Sequence, residues 1–102
     1  MKVIFGDRRS GKTTRLVEMA NKTPNAIILT HNRLAASLIM EHVKVAEHVK
    51  FYTYTMSWNK LRSSNSVVFI DDIDIFLRWV FRGSDIGAIT VPISELEKEL
   101  WF

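Results

Sequence analysis

The chain has 102 residues, of which 47% are hydrophobic and 25% charged, so it is long enough for one domain with a core and too short for two. It contains no run of about 18 apolar residues that could span a membrane, and its apolar start MKVIF is too short for a signal peptide. The absence of cysteine excludes disulfides and thiolate metal sites and favours a cytoplasmic protein, while the net charge of +3 permits contact with nucleic acid without requiring it.

Short apolar or β-branched runs alternate along the chain with segments of helical periodicity. Strands are predicted at Lys2–Phe5, Ala26–Thr30, Val49–Thr55, Val67–Asp71 and Ala88–Val91. Helices are predicted at Lys12–Asn21, Arg33–Val43, Ser57–Arg62 and Asp72–Arg82, the last of which stops at Gly83. The residues Ser94-Glu95-Leu96-Glu97 have the spacing of a capping box and predict a short terminal helix.

This alternation predicts βαβ units, and therefore a single α/β domain over residues 1–102 with a five-stranded, mainly parallel sheet flanked by helices. Ligands of such sheets bind beyond the carboxyl ends of the strands. The polar residues that we expect along this edge are Gly6-Asp7, Thr30-His31, Thr53–Thr55, Asp71-Asp72 and Thr90.

The stretch GDRRSGKT, from Gly6 to Thr13, matches the pattern G-x-x-x-x-G-K-[ST] between a predicted strand and a predicted helix. The two glycines allow a positive φ and a close approach of the backbone to an anion, while successive N–H groups point at the phosphates. Lys12 supplies a charge near the β and γ phosphates, and the Thr13 hydroxyl is a candidate ligand of Mg²⁺. The alternative is a basic surface turn. The residues assigned to the phosphate site are Gly6, Asp7, Arg8, Arg9, Ser10, Gly11, Lys12, Thr13 and Thr14.

A metal beside a phosphate chain also needs a carboxylate, and the stretch VVFIDDID provides two. Its apolar strand places Asp71 at the sheet edge as a candidate metal ligand, and Asp72 follows as the group that orients or deprotonates an attacking water. Lys12 and Asp72 are thus the candidate catalytic residues. The alternative for Asp72 is a purely structural role as the N-cap of the next helix.

At these residues the chain resembles the P-loop NTPases, in the branch with an extra strand between the two Walker strands. GDRRSGKT resembles a Walker A motif and VVFIDD a Walker B motif. The order of elements resembles the first motor domain of superfamily 1 helicases, in which a strand ending like ILTHNRLAASLI follows the P-loop helix and a Thr-rich stretch such as YTYTMSWNKL precedes Walker B. The resemblance covers roughly residues 2–91 and implies a RecA-like fold that binds ATP, or another nucleoside triphosphate, with Mg²⁺.

The resemblance also implies roles for residues outside the two motifs. Thr90 would be a sensor on the strand between the Walker strands, and His31 and Arg33 would contact DNA or RNA. Helicases carry Glu as the second Walker B acid where this chain has the shorter Asp72, so we expect slow hydrolysis. We also expect neither a second motor domain nor an adenine-contacting segment before the first strand.

The predicted helix from Asp72 to Arg82 is apolar on almost every face apart from a narrow stripe of Asp74, Arg78 and Arg82. A helix of this kind must be buried on most sides, and one sheet covers only one of them. Either the terminal LEKELWF folds over it or another molecule does, and we expect self-association or a protein partner through residues 72–82. Arg78 or Arg82 would then be candidates to reach a neighbour's nucleotide. Tyr54 and Trp58 are candidates for base stacking, with core packing as the alternative.

The sequence therefore predicts a minimal Mg-dependent nucleoside triphosphatase that a partner completes, in DNA or RNA handling. A viral or mobile-element origin would suit its economy, and its compartment would then be the host cytoplasm. The alternative is a nucleotide-binding regulatory module without useful turnover, which Asp72 favours. A small-molecule or nucleotide kinase ranks last, because the chain has little room for an acceptor site and lid.

Overall fold

The computed structural model describes residues 1–6, 10–55, 65–90 and 97–101. Within these residues the chain alternates between five strands and three helices, as the α/β prediction requires. In chain order they are β1 (Lys2–Gly6), α1 (Lys12–Asn21), β2 (Ala26–Thr30), α2 (Arg33–His42), β3 (Lys50–Thr53), β4 (Val67–Ile70), α3 (Ile73–Val80) and β5 (Glu97–Trp101). The helix predicted at Ser57–Arg62 lies outside the described residues.

The strands form two parallel sheets rather than the single sheet predicted. One sheet has the order β3-β2-β4, and the other pairs β1 with β5. Both neighbours of β2 run parallel to it, with Ile28 opposite Phe51 of β3 and opposite Phe69 of β4. Parallel neighbouring strands end at the same edge of a sheet. The last residues of these strands are Thr30, Thr53 and Ile70, so three of the predicted polar segments come together at this edge.

Two predictions for the last part of the chain are wrong. Residues 88–90 form no strand and are exposed, and Val91 lies outside the described residues. The predicted terminal helix is replaced by β5, which pairs with β1 from Lys2 opposite Glu97 to Gly6 opposite Trp101. A capping box stabilises a helix much less than hydrogen bonding along a whole neighbouring strand stabilises a strand. The pairing with β1 therefore overrides the local helix signal here.

The core lies around β2, all five residues of which are buried. One side of β2 packs on Val17 and Ala20 of α1 and on Ile39 of α2, and the main buried cluster contains these residues together with Ala26, Ile28 and Val49. A strand buried on both faces reads as a continuous apolar run, which is why AIILT was recognisable. In the part of the chain described here, no helix combines the length and apolar character needed to cross a membrane.

Helix α1 connects the two sheets, since it contacts both β1 and β2. A bidentate ion pair fixes it to β5: Arg15 Nε and Nη2 donate to the two carboxylate oxygens of Glu99 at 2.7 and 3.1 Å. The hydrogen bond to Glu99 raises the pKa of Arg15. Lys2 of β1 also lies 3.6 Å from Glu99. One carboxylate thus links the strand β5 to β1 and to the helix that follows the phosphate loop.

Candidate functional site

The loop between β1 and α1 is described at its two ends, and Asp7, Arg8 and Arg9 lie outside the described residues. Gly11 precedes the first residue of α1 with φ 93°, a left-handed conformation that favours glycine. Gly6 does not have the positive φ that was predicted for it, because it is the extended last residue of β1. The requirement for positive φ therefore applies to the second glycine, where the helix begins.

Among the described residues at the ends of this loop, Lys12 and Ser10 have the side chains that bear most directly on phosphate binding. Lys12 Nζ donates to the carbonyl oxygen of Gly6 at 2.7 Å, so its ammonium group bridges the two ends of the loop. The Ser10 hydroxyl is buried and makes no hydrogen bond within the described residues. A buried hydroxyl without a partner is unusual and calls for a group that completes it. Thr14 is exposed at the start of α1.

Thr13 and Asp71 meet although 58 positions separate them in the chain. The Thr13 hydroxyl donates to Asp71 Oδ1 at 3.0 Å. Thr13 belongs to the first turn of α1, after β1, whereas Asp71 follows β4 in the other sheet. The Asp71 backbone N–H donates to the Leu29 carbonyl at 3.2 Å, which extends the β2–β4 pairing and fixes where the carboxylate lies. The two predicted metal ligands are therefore neighbours.

Asp71 is partly buried, and this burial raises the pKa of its carboxyl group above the ordinary value. The hydrogen bond from Thr13 and the positive charge of Lys12 lower the pKa, while the charge of Asp72 raises it further. Because the net shift is upward, ionised Asp71 destabilises the fold as the pH rises through its titration range. A cation bound to this carboxylate would offset that cost.

Asp72 is the N-cap of α3. Its carboxylate Oδ1 accepts a hydrogen bond from the Ile75 backbone N–H at 3.3 Å, and its carbonyl accepts from Phe76 N–H at 3.2 Å. Its backbone is left-handed, with φ 62° and ψ 81°, a conformation that aspartate tolerates better than most residues. The structural alternative considered for Asp72 is thus observed, and its carboxylate also lies beside Asp71 at the sheet edge.

The remaining predicted site residues are more scattered. His31 and Arg33 are exposed where β2 leads into α2, a helix that Asn32 caps by accepting a hydrogen bond from Ala35 N–H at 2.9 Å. Thr90 is exposed in an irregular segment, so no strand holds it between β1 and β4 in the described residues. Arg78 pairs with Asp74 at 3.3 Å, and Arg82 lies 5.5 Å from the centre of the Trp79 ring.

Tyr54 also lies at this edge. The sequence indicated it only as a candidate for base stacking or for core packing. It follows β3 and is fully buried, with its ring centre 5.6 Å from that of His31, 5.3 Å from Phe76 and 5.6 Å from Trp79. Its hydroxyl makes no hydrogen bond within the described residues. The signal in the sequence was a polar-tipped aromatic at the carboxyl end of a strand, directly after Thr53.

Burial, with the charges of Asp72 and Asp71, raises the pKa of Tyr54 to about 12. The phenol is therefore neutral at physiological pH and stays a hydrogen-bond donor. Since the fold favours the neutral form, its contribution to stability is complete below the ordinary pKa of 10.0 and is lost as the pH rises through about 12.

The oxygen atoms of Thr13 and Asp71 suit Mg²⁺, which prefers hard oxygen ligands and keeps several waters. Among the described residues, no group of three or more His, Cys, Asp or Glu side chains converges on one point. A magnesium ion at Thr13 and Asp71 would thus complete its shell with water and with oxygen atoms of a substrate phosphate.

The chain was compared with protein-family models, curated proteins and solved structures. It matches none of them. The function has to be argued from the site itself.

Proposed function

We propose that this protein binds a nucleoside triphosphate, with ATP as the reference ligand, together with Mg²⁺ at the edge where α1 begins and β4 ends, and hydrolyses it slowly. The observation that supports this most directly is the 3.0 Å hydrogen bond from Thr13 to Asp71. It joins the residue after the loop lysine to a carboxylate at the end of a strand in the other sheet, and the alternative of a basic surface turn does not call for such a contact.

Several residues around this hydrogen bond would contribute to the binding of a phosphate chain, each in a different way. The left-handed Gly11 directs the chain into α1, whose first N–H groups attract an anion. Lys12 adds a compact positive charge. Ser10 supplies a buried hydroxyl that lacks a partner within the described residues. Magnesium, when bound, neutralises part of the phosphate charge, and Thr13 and Asp71 are the residues that would hold it.

Hydrolysis requires a group that orients or deprotonates water, and Asp72 is the candidate. Its carboxylate already accepts a hydrogen bond at the N-terminus of α3, so part of its capacity is committed to the cap. This same observation favours the second candidate function, a nucleotide-binding regulatory module without useful turnover. In both cases the site binds a triphosphate, and the two differ only in what Asp72 does.

Contact with single-stranded DNA or RNA is a further part of the proposal. His31 and Arg33 are exposed at the carboxyl edge of the β3-β2-β4 sheet, close in the chain to β2. Single-stranded DNA is therefore included as a variable in the turnover assay below, where an unchanged rate would count against this part.

The replacement Asp71→Asn tests the binding site. Asparagine keeps an oxygen that accepts the Thr13 hydrogen bond and removes the charge that burial disfavours, so we expect the empty variant to be at least as stable as the wild type at pH 7. We also expect the Mg²⁺-dependent gain in ATP affinity to fall about tenfold or more, because a metal loses a charged ligand. Affinity is measured by titrating a fluorescent ATP analogue with and without Mg²⁺, and stability by thermal melting.

The matched control is Asp85→Asn, since Asp85 is exposed and has the same charge. It should reproduce the wild type in both measurements. Equal Mg²⁺ dependence in Asp71→Asn and the wild type would contradict the metal assignment, and the absence of nucleotide binding by the wild type would contradict the proposed function itself.

The replacement Asp72→Asn separates the two candidate functions. Asparagine caps helices as well as aspartate does and tolerates the left-handed conformation, so α3 should be retained. If Asp72 activates water, phosphate release from Mg-ATP falls about tenfold or more while ATP affinity stays within about twofold. This is the result we expect, measured with and without single-stranded DNA. Equal rates, or no turnover by the wild type despite binding, would instead assign the regulatory module.

A further inference from the structure

The Tyr54 hydroxyl, like that of Ser10, is a buried polar group that makes no hydrogen bond in the described part of the chain. The side chain is fully buried, yet the hydroxyl has no hydrogen-bond partner among the described residues. Native proteins rarely leave a buried hydroxyl unpaired, because it has lost its water without compensation. Such a group either costs stability for no purpose or is completed by something that binds.

The position of Tyr54 connects it to the proposed site. Its ring packs against Phe76 and Trp79 of α3, the helix that begins directly after Asp72, and against His31 at the end of β2. Burial raises the pKa of the phenol, and the negative charges of Asp72 and Asp71 raise it further. Aromatic contacts on several sides therefore hold the Tyr54 ring at the edge where β2 and β3 end, against the helix that begins after the two acids.

The two acids are not the missing partner, since the Tyr54 hydroxyl makes no hydrogen bond to either of them. Asp71 Oδ1 accepts from the Thr13 hydroxyl at 3.0 Å, and Asp72 Oδ1 accepts from the Ile75 N–H at 3.3 Å. With two carboxylates at this edge, an anionic phosphate there depends on the donors around it, among them Lys12 and Thr13. A neutral phenol adds a donor there, which is what an incoming phosphate or its bound water requires.

We propose that Tyr54 is a positioning residue whose hydroxyl donates to the terminal phosphate of a bound nucleoside triphosphate, or to the water that this phosphate holds against the acids, and so distinguishes triphosphate from diphosphate. The inference rests on the proposed function. The aromatic contacts of Tyr54 with α3 give the same residue a second effect, because α3 then senses which nucleotide is bound.

The test is Tyr54→Phe, which keeps the ring and its contacts and removes only the hydroxyl. Two measurements should change in opposite directions. The melting temperature of the empty variant should rise by a few degrees, since an unpaired buried hydroxyl is gone. Its ATP affinity should fall about five- to tenfold, while its ADP affinity stays within about twofold, measured by displacement of a fluorescent nucleotide in the presence of Mg²⁺.

Tyr52→Phe is the matched control, because Tyr52 is a half-buried tyrosine two positions earlier, on β3. Its ratio of ATP to ADP affinity should equal that of the wild type. An unchanged ratio in Tyr54→Phe would overturn the proposal while leaving nucleotide binding in place. A lower melting temperature or a failure to fold would show that the hydroxyl has a structural partner in the empty protein, and would overturn it as well. Absence of nucleotide binding by the wild type would overturn the proposed function and this role with it.

Discussion

Replacing Lys12 with alanine is expected to weaken the binding of Mg-ATP by about 10- to 100-fold. The Lys12 ammonium group lies 2.7 Å from the Gly6 carbonyl, between the end of β1 and the start of α1. A charge-assisted hydrogen bond to an anion is worth about 1.5–3 kcal/mol, and each 1.4 kcal/mol is a factor of ten in affinity. Equilibrium titration with a fluorescent ATP analogue measures the loss directly.

Lys22→Ala is the control for this experiment, since Lys22 is an exposed lysine immediately after α1. It removes the same charge from the protein at the far end of the helix and should leave affinity within about twofold. Lys12→Arg is expected to recover only part of the loss, because a planar guanidinium does not replace a compact ammonium in a tight loop. Binding by Lys12→Ala within threefold of the wild type would refute the phosphate-loop assignment.

The second large effect is on stability: Ile28→Ala is expected to lower the free energy of unfolding by about 3–4 kcal/mol. Ile28 has no exposed surface and lies in the main buried cluster with Val17, Ala20 and Ile39. Truncating a buried isoleucine typically costs about 2–5 kcal/mol, as both the apolar transfer and the new cavity count against the fold. The total free energy of unfolding of a domain is about 5–15 kcal/mol, so a loss of this size should be visible in a urea titration.

The control is Ile89→Ala, which makes the same chemical change at a side chain that is 61% exposed. Its free energy of unfolding should stay within about 0.5 kcal/mol of the wild type. Equal effects of the two replacements would mean that β2 is not the centre of the core.

The parts of the fold that the sequence predicted are those in which local pattern and tertiary packing agree. Helix α1 and strand β2 have the predicted bounds, because their apolar periodicity is also the pattern of their burial. The proximity of Thr13 and Asp71 follows the prediction that both motifs lie at the carboxyl ends of strands, and the structure brings them together although β1 and β4 belong to different sheets. No knowledge of side-chain positions was needed for that inference.

The rest depended on which strands pair, and local pattern does not determine that. Strand β5 is rich in charged residues, and its stability comes from partners such as Lys2 and Arg15, which lie far away in the sequence. The segment AITV has the composition of a strand, but residues 88–90 are exposed and pair with no strand in the described structure. For Asp72, the same residue type serves a helix cap and a catalytic acid, so sequence left both roles open.

The interface predicted for residues 72–82 stays a prediction. Phe76 and Trp79 pack on Tyr54, whereas Ile73 and Val80 are 50% and 44% exposed. The terminal segment pairs with β1 as a strand, rather than forming the helix expected from its capping box.

The hydrogen bond between Thr13 and Asp71 has one more consequence, because the two residues follow strands of different sheets. Strand β1 leads into α1 and Thr13, whereas β4 leads into Asp71, and β1 and β4 share no ladder within the described residues. A triphosphate and its metal held at this junction would act as a clamp between two halves of the molecule. Ligand binding would then slow amide hydrogen exchange in strands of both sheets, including strands far from any phosphate, and departure of the ligand would loosen the two together.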